Sequence, residues 1–244
     1  MEIEAQDVAV TADGGEVLPP TGVLLVPGRR TLVAGDPGAD GSAPLALALA
    51  LTGRLVPGRG RVLADGHDVG LWGRDDLRRS TALVDAPGVD EPEPVLPLRA
   101  AVAEELRARR EPAGADDARA WLEDRGLAAH ADVLARDLAP GPRTRALAHL
   151  AAGRPGVVAL VLVRPDRGGG DPRDEGGWWD VAGDLADDGL AVGVCVGRPA
   201  AAVLEGAGLL RADDLRATHG VPRAARPDDL PAPHAGRVTA GVTL

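Results

Sequence analysis

Two runs in the C-terminal half, "VVALVLV" at 157–163 and "LAVGVCV" at 190–196, constrain the fold more than any other feature of this 244-residue chain. A strand with one wet face alternates apolar and polar residues. Uninterrupted apolar runs of this length therefore read as strands covered on both faces, the condition of a parallel sheet lying between helices. Between them stands "WWDVAGDLADD", which reads as a helix. Strand, helix and parallel strand make a βαβ unit, so the expected fold class is α/β.

Upstream, the chain reads as short strands with turns between them. "EIEAQDVAV" alternates, Gly14-Gly15 punctuates, "GVLLVPG" follows, and "RTLVAG" enters a glycine-rich loop. After the loop, "PLALALALTG" is a strong helix former that stops at Gly53. "GRVLADGHDV" reads as a hairpin turning at Asp65-Gly66, and Thr81–Val84 as a further strand before the Pro-rich "DAPGVDEPEPVLP". Helical periodicity then marks Leu98–Arg110, with Leu98, Val102 and Leu106 on one face, followed by Asp116–Arg125 and Ala128–Arg136. The stretch from Ala217 is rich in Pro, Arg and Asp and reads as a loose tail, which divides the chain into a domain at 1–216 and a tail at 217–244.

Composition excludes several function classes. A net charge of −10 and a pI near 5.0 oppose nucleic acid as a partner, because phosphate attraction dominates that affinity. No apolar run is long enough to span a bilayer, and the acidic first residues do not form a secretory leader, so a cytoplasmic chain is expected. Cys195 has no cysteine partner and reads as buried core, and His67, His130, His149, His219 and His234 lack metal-ligand spacing, so no structural zinc is expected. No G-x-S-x-G elbow is present, which removes the serine-hydrolase reading. All 27 basic residues are arginine, and no lysine occurs anywhere.

That last fact bears on the loop "GDPGADGSA", Gly35–Ala43. A phosphate-binding loop, G-x-x-x-x-G-K-[ST], would place Gly at 40 and Lys at 41, but the chain has Asp40 and Gly41. Gly35, Gly38 and Ser42 fit the pattern. In order and spacing of parts, the chain from Glu2 to Gly208 resembles the ATP-binding subunit of an ABC transporter. Other landmarks carry this resemblance: a Pro-x-x-Gly stretch before the "DG" turn; "LAPGP" (Leu138, Ala139, Pro140, Gly141, Pro142) where the family has LSGGQ; and "GGDP" with Gly170 and Asp171 where the family has a dimer-contact loop. The resemblance implies a P-loop NTPase-like mixed sheet, with an N-terminal antiparallel subdomain and an inserted helical subdomain at about 98–140. It also implies ATP with Mg²⁺ as cofactor, a membrane permease as partner, pairing with a second copy or a competent cassette, and a place at the inner face of the membrane.

The same resemblance shows what has been lost. Asp85 stands at the family's glutamine, Val163 and Arg164 at the metal-orienting Asp and the catalytic Glu, Gly197 at the switch His, and Ala139 and Pro140 at signature donors. The aromatic expected near Val10–Ala12 is absent. The vestigial nucleotide loop would be Gly35, Asp36, Pro37, Gly38, Ala39, Asp40, Gly41, Ser42 and Ala43, with Ser42 the one weak candidate metal ligand and no catalytic residue. Losing the lysine's charged hydrogen bond costs about 1.5–3 kcal/mol, and an acid about 5 Å from a phosphate adds roughly 3 kcal/mol of repulsion. Binding falls by about three or four powers of ten. Asp36, Asp40 and Asp171 otherwise read as turn residues, Asp85 as a strand-end carboxylate, and Glu104-Glu105 as a solvated face. Trp178-Trp179 is a candidate partner-facing pair, against which one of the two is assigned to the core, since neighbours on a helix diverge. The function expected is a catalytically degenerate cassette subunit on a permease; the alternative is a soluble scaffold that binds no nucleotide. Exposed apolar residues around the loop after Asp85 and the helical block Leu98–Arg136 favour the first; a polar surface there favours the second.

Overall fold

The computed structural model describes residues 1–12, 15–35, 42–70, 73–218 and 220. An antiparallel sheet of four strands, ordered β2-β1-β4-β5, comprises β1 (Ile3–Ala12), β2 (Gly15–Leu25), β4 (Arg59–Ala64) and β5 (His67–Asp68). A five-stranded parallel sheet, ordered β6-β7-β8-β3-β9, comprises β3 (Arg29–Gly35), β6 (Thr81–Val84), β7 (Ala159–Val163), β8 (Ala191–Gly197) and β9 (Leu215–Thr218). The two long apolar runs are β7 and β8, paired in parallel with Val163 opposite Cys195. β9 crosses the boundary at 216 and pairs with β3 as far as Thr218.

Period-two alternation divides the parallel sheet between two cores. Val33, Leu83, Val161, Val163 and Cys195 face α1 (Ala43–Leu51) and the antiparallel sheet. Leu32, Val84, Leu160, Leu162, Val194 and Val196 face the opposite layer, formed by α5 (Pro140–Ala152), α6 (Trp178–Asp187) and α7 (Arg198–Gly206). Both faces being dry explains why polar residues are missing from β7 and β8, while the buried Arg30 and Thr31 of β3 and Thr81 of β6 each have hydrogen-bond partners. A third cluster unites α3 (Leu98–Ala108) and α4 (Ala115–Glu123) with Leu138, Ala146 and Leu150 at α5. The short α2 (Arg74–Ser80) leads into β6. The β4–β5 hairpin turns where the sequence places it, with Asp65 and Gly66 at φ 47° and 78°, the left-handed pair that a tight hairpin turn needs.

Two expectations are corrected here. Ala128–Arg136 is not a continuous helix; it contains two single 3-10 turns, Ala128–His130 and Ala135–Asp137. The backbone between them is spent on tertiary pairing: Leu98 N–H donates to Val133 O (2.9 Å), Arg99 N–H to Ala131 O (2.9 Å) and Ala135 N–H to Leu96 O (2.8 Å). Trp178 and Trp179 are both buried, at 0 % and 1 % exposure, with their rings edge-to-face at 6.0 Å. Their indoles do diverge, but α6 is covered on both sides. Trp178 Nε1 donates to Gly170 O and Trp179 Nε1 to Leu209 O, each at 3.2 Å. Arg30 lies over the Trp179 ring at 4.1 Å while both oxygens of Asp214 accept from its guanidinium (2.8 and 2.9 Å).

Candidate functional site

In an open parallel sheet, ligands gather outside the C-terminal strand ends. Here Gly35 of β3 lies in register with Gly197 of β8, and β7 and β6 end beside them at Val163 and Val84. The expected nucleotide-loop residues Asp36, Pro37, Gly38, Ala39, Asp40 and Gly41 lie outside the described residues. Gly35 closes β3, Ser42 stands at the N-cap of α1, and Ala43 is buried at its first turn.

Two strand-end residues take left-handed backbone conformations, Asp85 (φ 55°) after β6 and Arg164 (φ 51°) after β7. An arginine in this region is uncommon. The turn places Asp166 so that its Oδ2 accepts the Gly197 N–H at 3.1 Å. Asp166 Oδ1 and Arg164 Nε are buried without a hydrogen-bond partner, 3.9 Å apart. At the positions that the resemblance assigns to two carboxylates and a histidine, the chain thus has Val163, a guanidinium and Gly197.

Asp85 is the hub of a second set of contacts. Arg143, in the first turn of α5, donates from Nε to Oδ2 (2.9 Å) and from Nη2 to Oδ1 (2.6 Å), and its Nη1 donates to Ala135 O (2.7 Å). Arg167 reaches the same Oδ1 at 3.0 Å and Glu91 at 2.6 Å. The Asp85 side chain is 9 % exposed. Hydrogen bonding to this carboxylate raises the Arg143 pKa against the opposing effect of burial. Asp85 therefore ties β6, α5 and the turn after β7 together, and its oxygens are already occupied.

The signature-position residues lead into α5. Leu138 is buried, Ala139 is the N-cap with no side-chain bond, and Pro140 opens the helix. A helix N-terminus binds anions through its first free N–H groups. Pro140 and Pro142 have none, which leaves Gly141 alone among the first three helical residues. Pro140 instead packs against the turn after β7: a Cβ on Gly168 or Gly170 would lie 2.9 or 2.8 Å from its ring. Asp171 accepts from Arg173 (2.5 Å), which holds its carboxyl down at about 2. The donor set among the described residues does not fit a magnesium–nucleotide: Asp85 is committed to two arginines, Asp166 Oδ1 faces the Arg164 guanidinium at 3.9 Å, and Gly141 alone offers an amide among the first three residues of α5.

Beside this site, a cleft of about 480 Å³ runs between the Pro-rich loop and α5, lined by Val89, Glu91, Glu93, Arg136 and Arg143. Val89 and Val95 are 51 % and 56 % exposed. Behind it, Glu105 corrects the expectation of a solvated face. It receives Arg154 Nε and Nη2 at 2.7 and 3.1 Å, and Arg154 also reaches Asp90 at 3.4 Å. Burial would raise the Glu105 carboxyl, but the Arg154 and Arg109 guanidiniums outweigh it and hold it low. Sequence reasoning missed Arg154 and Arg167, which look locally like any other arginine, and saw Arg143 only as part of the arginine-rich run after the signature, with no role assigned to it.

An antiparallel sheet set against a parallel one, with a helical block inserted before α5, is the P-loop NTPase-like arrangement. Solved structures narrow it further. The chain superposes on an ATP-binding subunit of an ABC transporter with a TM-score of 0.55 and 16 % identity, covering 83 % of this chain and 82 % of that one. For the nucleotide-free ATP-binding cassette of an ABC transporter the values are 0.57, 16 %, 84 % and 85 %. For the ADP conformation of another such cassette they are 0.59, 17 %, 81 % and 82 %. The chain therefore has the ABC ATP-binding-cassette fold. No protein-family model matches it, and neither does any curated protein sequence.

Proposed function

We propose that the protein is a catalytically degenerate cassette subunit, a structural or regulatory half-site that docks on a membrane permease and pairs with a second cassette. The observation that carries the loss of catalysis is the set of three guanidiniums, Arg143, Arg164 and Arg167, gathered at the strand ends. Phosphoryl transfer to water needs a group that orients or deprotonates the water and a metal-holding carboxylate. A guanidinium can neither deprotonate the water nor hold the metal, because it stays protonated and accepts nothing. Asp85, which stands where the resemblance places a glutamine that helps hold the metal, is committed to two arginines. The loop half of the docking criterion is met by Val89 and Val95, two large apolar side chains exposed in the loop that follows Asp85, whereas the helical block 98–136 exposes no large apolar side chain among the described residues.

The test is a titration of the purified protein with fluorescent ATP, with and without Mg²⁺, alongside phosphate release. The expected result is binding no tighter than about millimolar and no release above buffer. Saturable micromolar binding with Mg²⁺-dependent turnover would refute the degenerate reading. For docking, Val89→Asp with Val95→Asp should abolish recovery of the protein with membranes of the source cells. Unchanged recovery, or none with the original sequence, contradicts it.

A further inference from the structure

Away from the strand ends, a pocket of about 190 Å³ opens between the end of α1, the β4–β5 hairpin and α2. Its walls are apolar, formed chiefly by Leu55, Val56, Val62 and Leu77, with Val56 half exposed at 51 %. Arg61 and Arg74 also line it. Among the described residues each uses only Nε: Arg61 toward Gln6 Oε1 (2.9 Å) and Arg74 toward Gly53 O (3.2 Å). Neither has a carboxylate partner among the described residues, whereas Arg30, Arg143, Arg154 and Arg167 are all paired with acids. Asp68, the acid on the rim, has its Oδ1 occupied by the Gly70 N–H at 2.9 Å.

We propose that this pocket binds a small apolar monocarboxylate, a molecule of about the size of benzoate. An apolar cavity of about 150 Å³ holds a benzene ring, so this one accommodates a ring or a branched alkyl group with its carboxylate at the mouth. Guanidinium and carboxylate are geometrically matched through paired charge-assisted hydrogen bonds, and the terminal nitrogens of Arg61 and Arg74 are the donors left over. In a chain of net charge −10, a pocket lined by two arginines and one acid, Asp68, still carries a net positive charge that attracts an anion. The apolar walls select an organic acid over inorganic phosphate. The site is separate from the strand ends and does not depend on the cassette reading.

The experiment is a methyl NMR titration of the whole chain with benzoate and, separately, with benzyl alcohol, its near-isosteric neutral counterpart. Benzoate is expected to saturate and to shift Leu55, Val56, Val62 and Leu77, binding about tenfold more tightly than the alcohol. Arg61→Gln and Arg74→Gln should each remove that preference and leave the alcohol's affinity unchanged. Arg74→Gln also breaks a contact between α2 and the end of α1, so Arg61→Gln, on an exposed strand position, is the decisive variant. The assignment is overturned by shifts outside the pocket, by failure to saturate at roughly 20 mM, by equal affinity for acid and alcohol, or by indifference to Arg61→Gln.

Discussion

Asp85→Asn removes one negative charge while leaving the side-chain shape, and asparagine tolerates the left-handed φ of 55° as aspartate does. The substitution therefore isolates the ion pair from backbone strain. It leaves Arg143 and Arg167, at 17 % and 26 % exposure, facing a neutral amide that can accept at only one oxygen. Breaking a fully buried pair costs about 3–5 kcal/mol. Partial hydration of both arginines, and the Glu91 carboxylate still within 2.6 Å of Arg167, reduce this to about 2 kcal/mol. For a domain of this size that is a fall in Tm of roughly 4–8 °C. Urea unfolding followed by tryptophan fluorescence measures it, since Trp178 and Trp179 lie in the core beside α5. A double-mutant cycle with Arg143→Gln should give a coupling of about 1–2 kcal/mol. A loss below about 0.5 kcal/mol with no coupling would mean that the three-way contact at Asp85 contributes nothing to the fold.

Three further outcomes follow from named contacts. The Cys195 thiol is fully buried and pushed up to about 12 by burial, so it should resist thiol reagents at pH 8 and react at once in denaturant; rapid labelling of the native protein contradicts the β8 environment. Burial, helped by Arg125 and Arg145, lowers the His149 pKa below 6.5. The unfolded chain then binds more protons, so this residue's contribution is complete above pH 6.5 and is lost as pH falls through the folded pKa. His149→Gln should flatten that part of the stability–pH curve, and an unaltered curve would show that His149 is not its source. Gly170→Ala would set a Cβ 2.8 Å from Pro140 and 3.4 Å from the Trp178 ring, costing about 1–3 kcal/mol by overpacking; a neutral effect by thermal unfolding would show that the wedge yields.

The parallel sheet was legible because its strands are dry on both faces, a condition written into local composition at 157–163 and 190–196. The Asp65-Gly66 hairpin was legible for an equally local reason, the backbone sign that its turn demands. The segment 128–136 was not, because its helical period competes with bonds to residues 96–99 that no local window contains. The ion pairs were hidden more deeply. Asp85 and Arg143 are 58 positions apart, and Glu105 and Arg154 are 49 apart. With 27 arginines among 37 acids, sequence offers no way to choose these partners.

These hidden contacts bear on how a frame can outlast its chemistry. A phosphoryl-transfer site must keep polar groups unpaired and aimed at a ligand, which costs stability in its absence. On the proposed reading, such groups are turned inward at the strand ends of this chain. Asp85 holds α5 to the sheet, and Pro140, which gives up an amide that an anion would need, fills the space left by Gly168 and Gly170. On that reading, the replacements at Asp85 and Pro140 each remove a donor or acceptor for a ligand and add a contact within the fold. On the proposed reading, the same substitutions that end turnover fix the helical block against the sheet, as suits a subunit whose role is to hold its place beside an active partner.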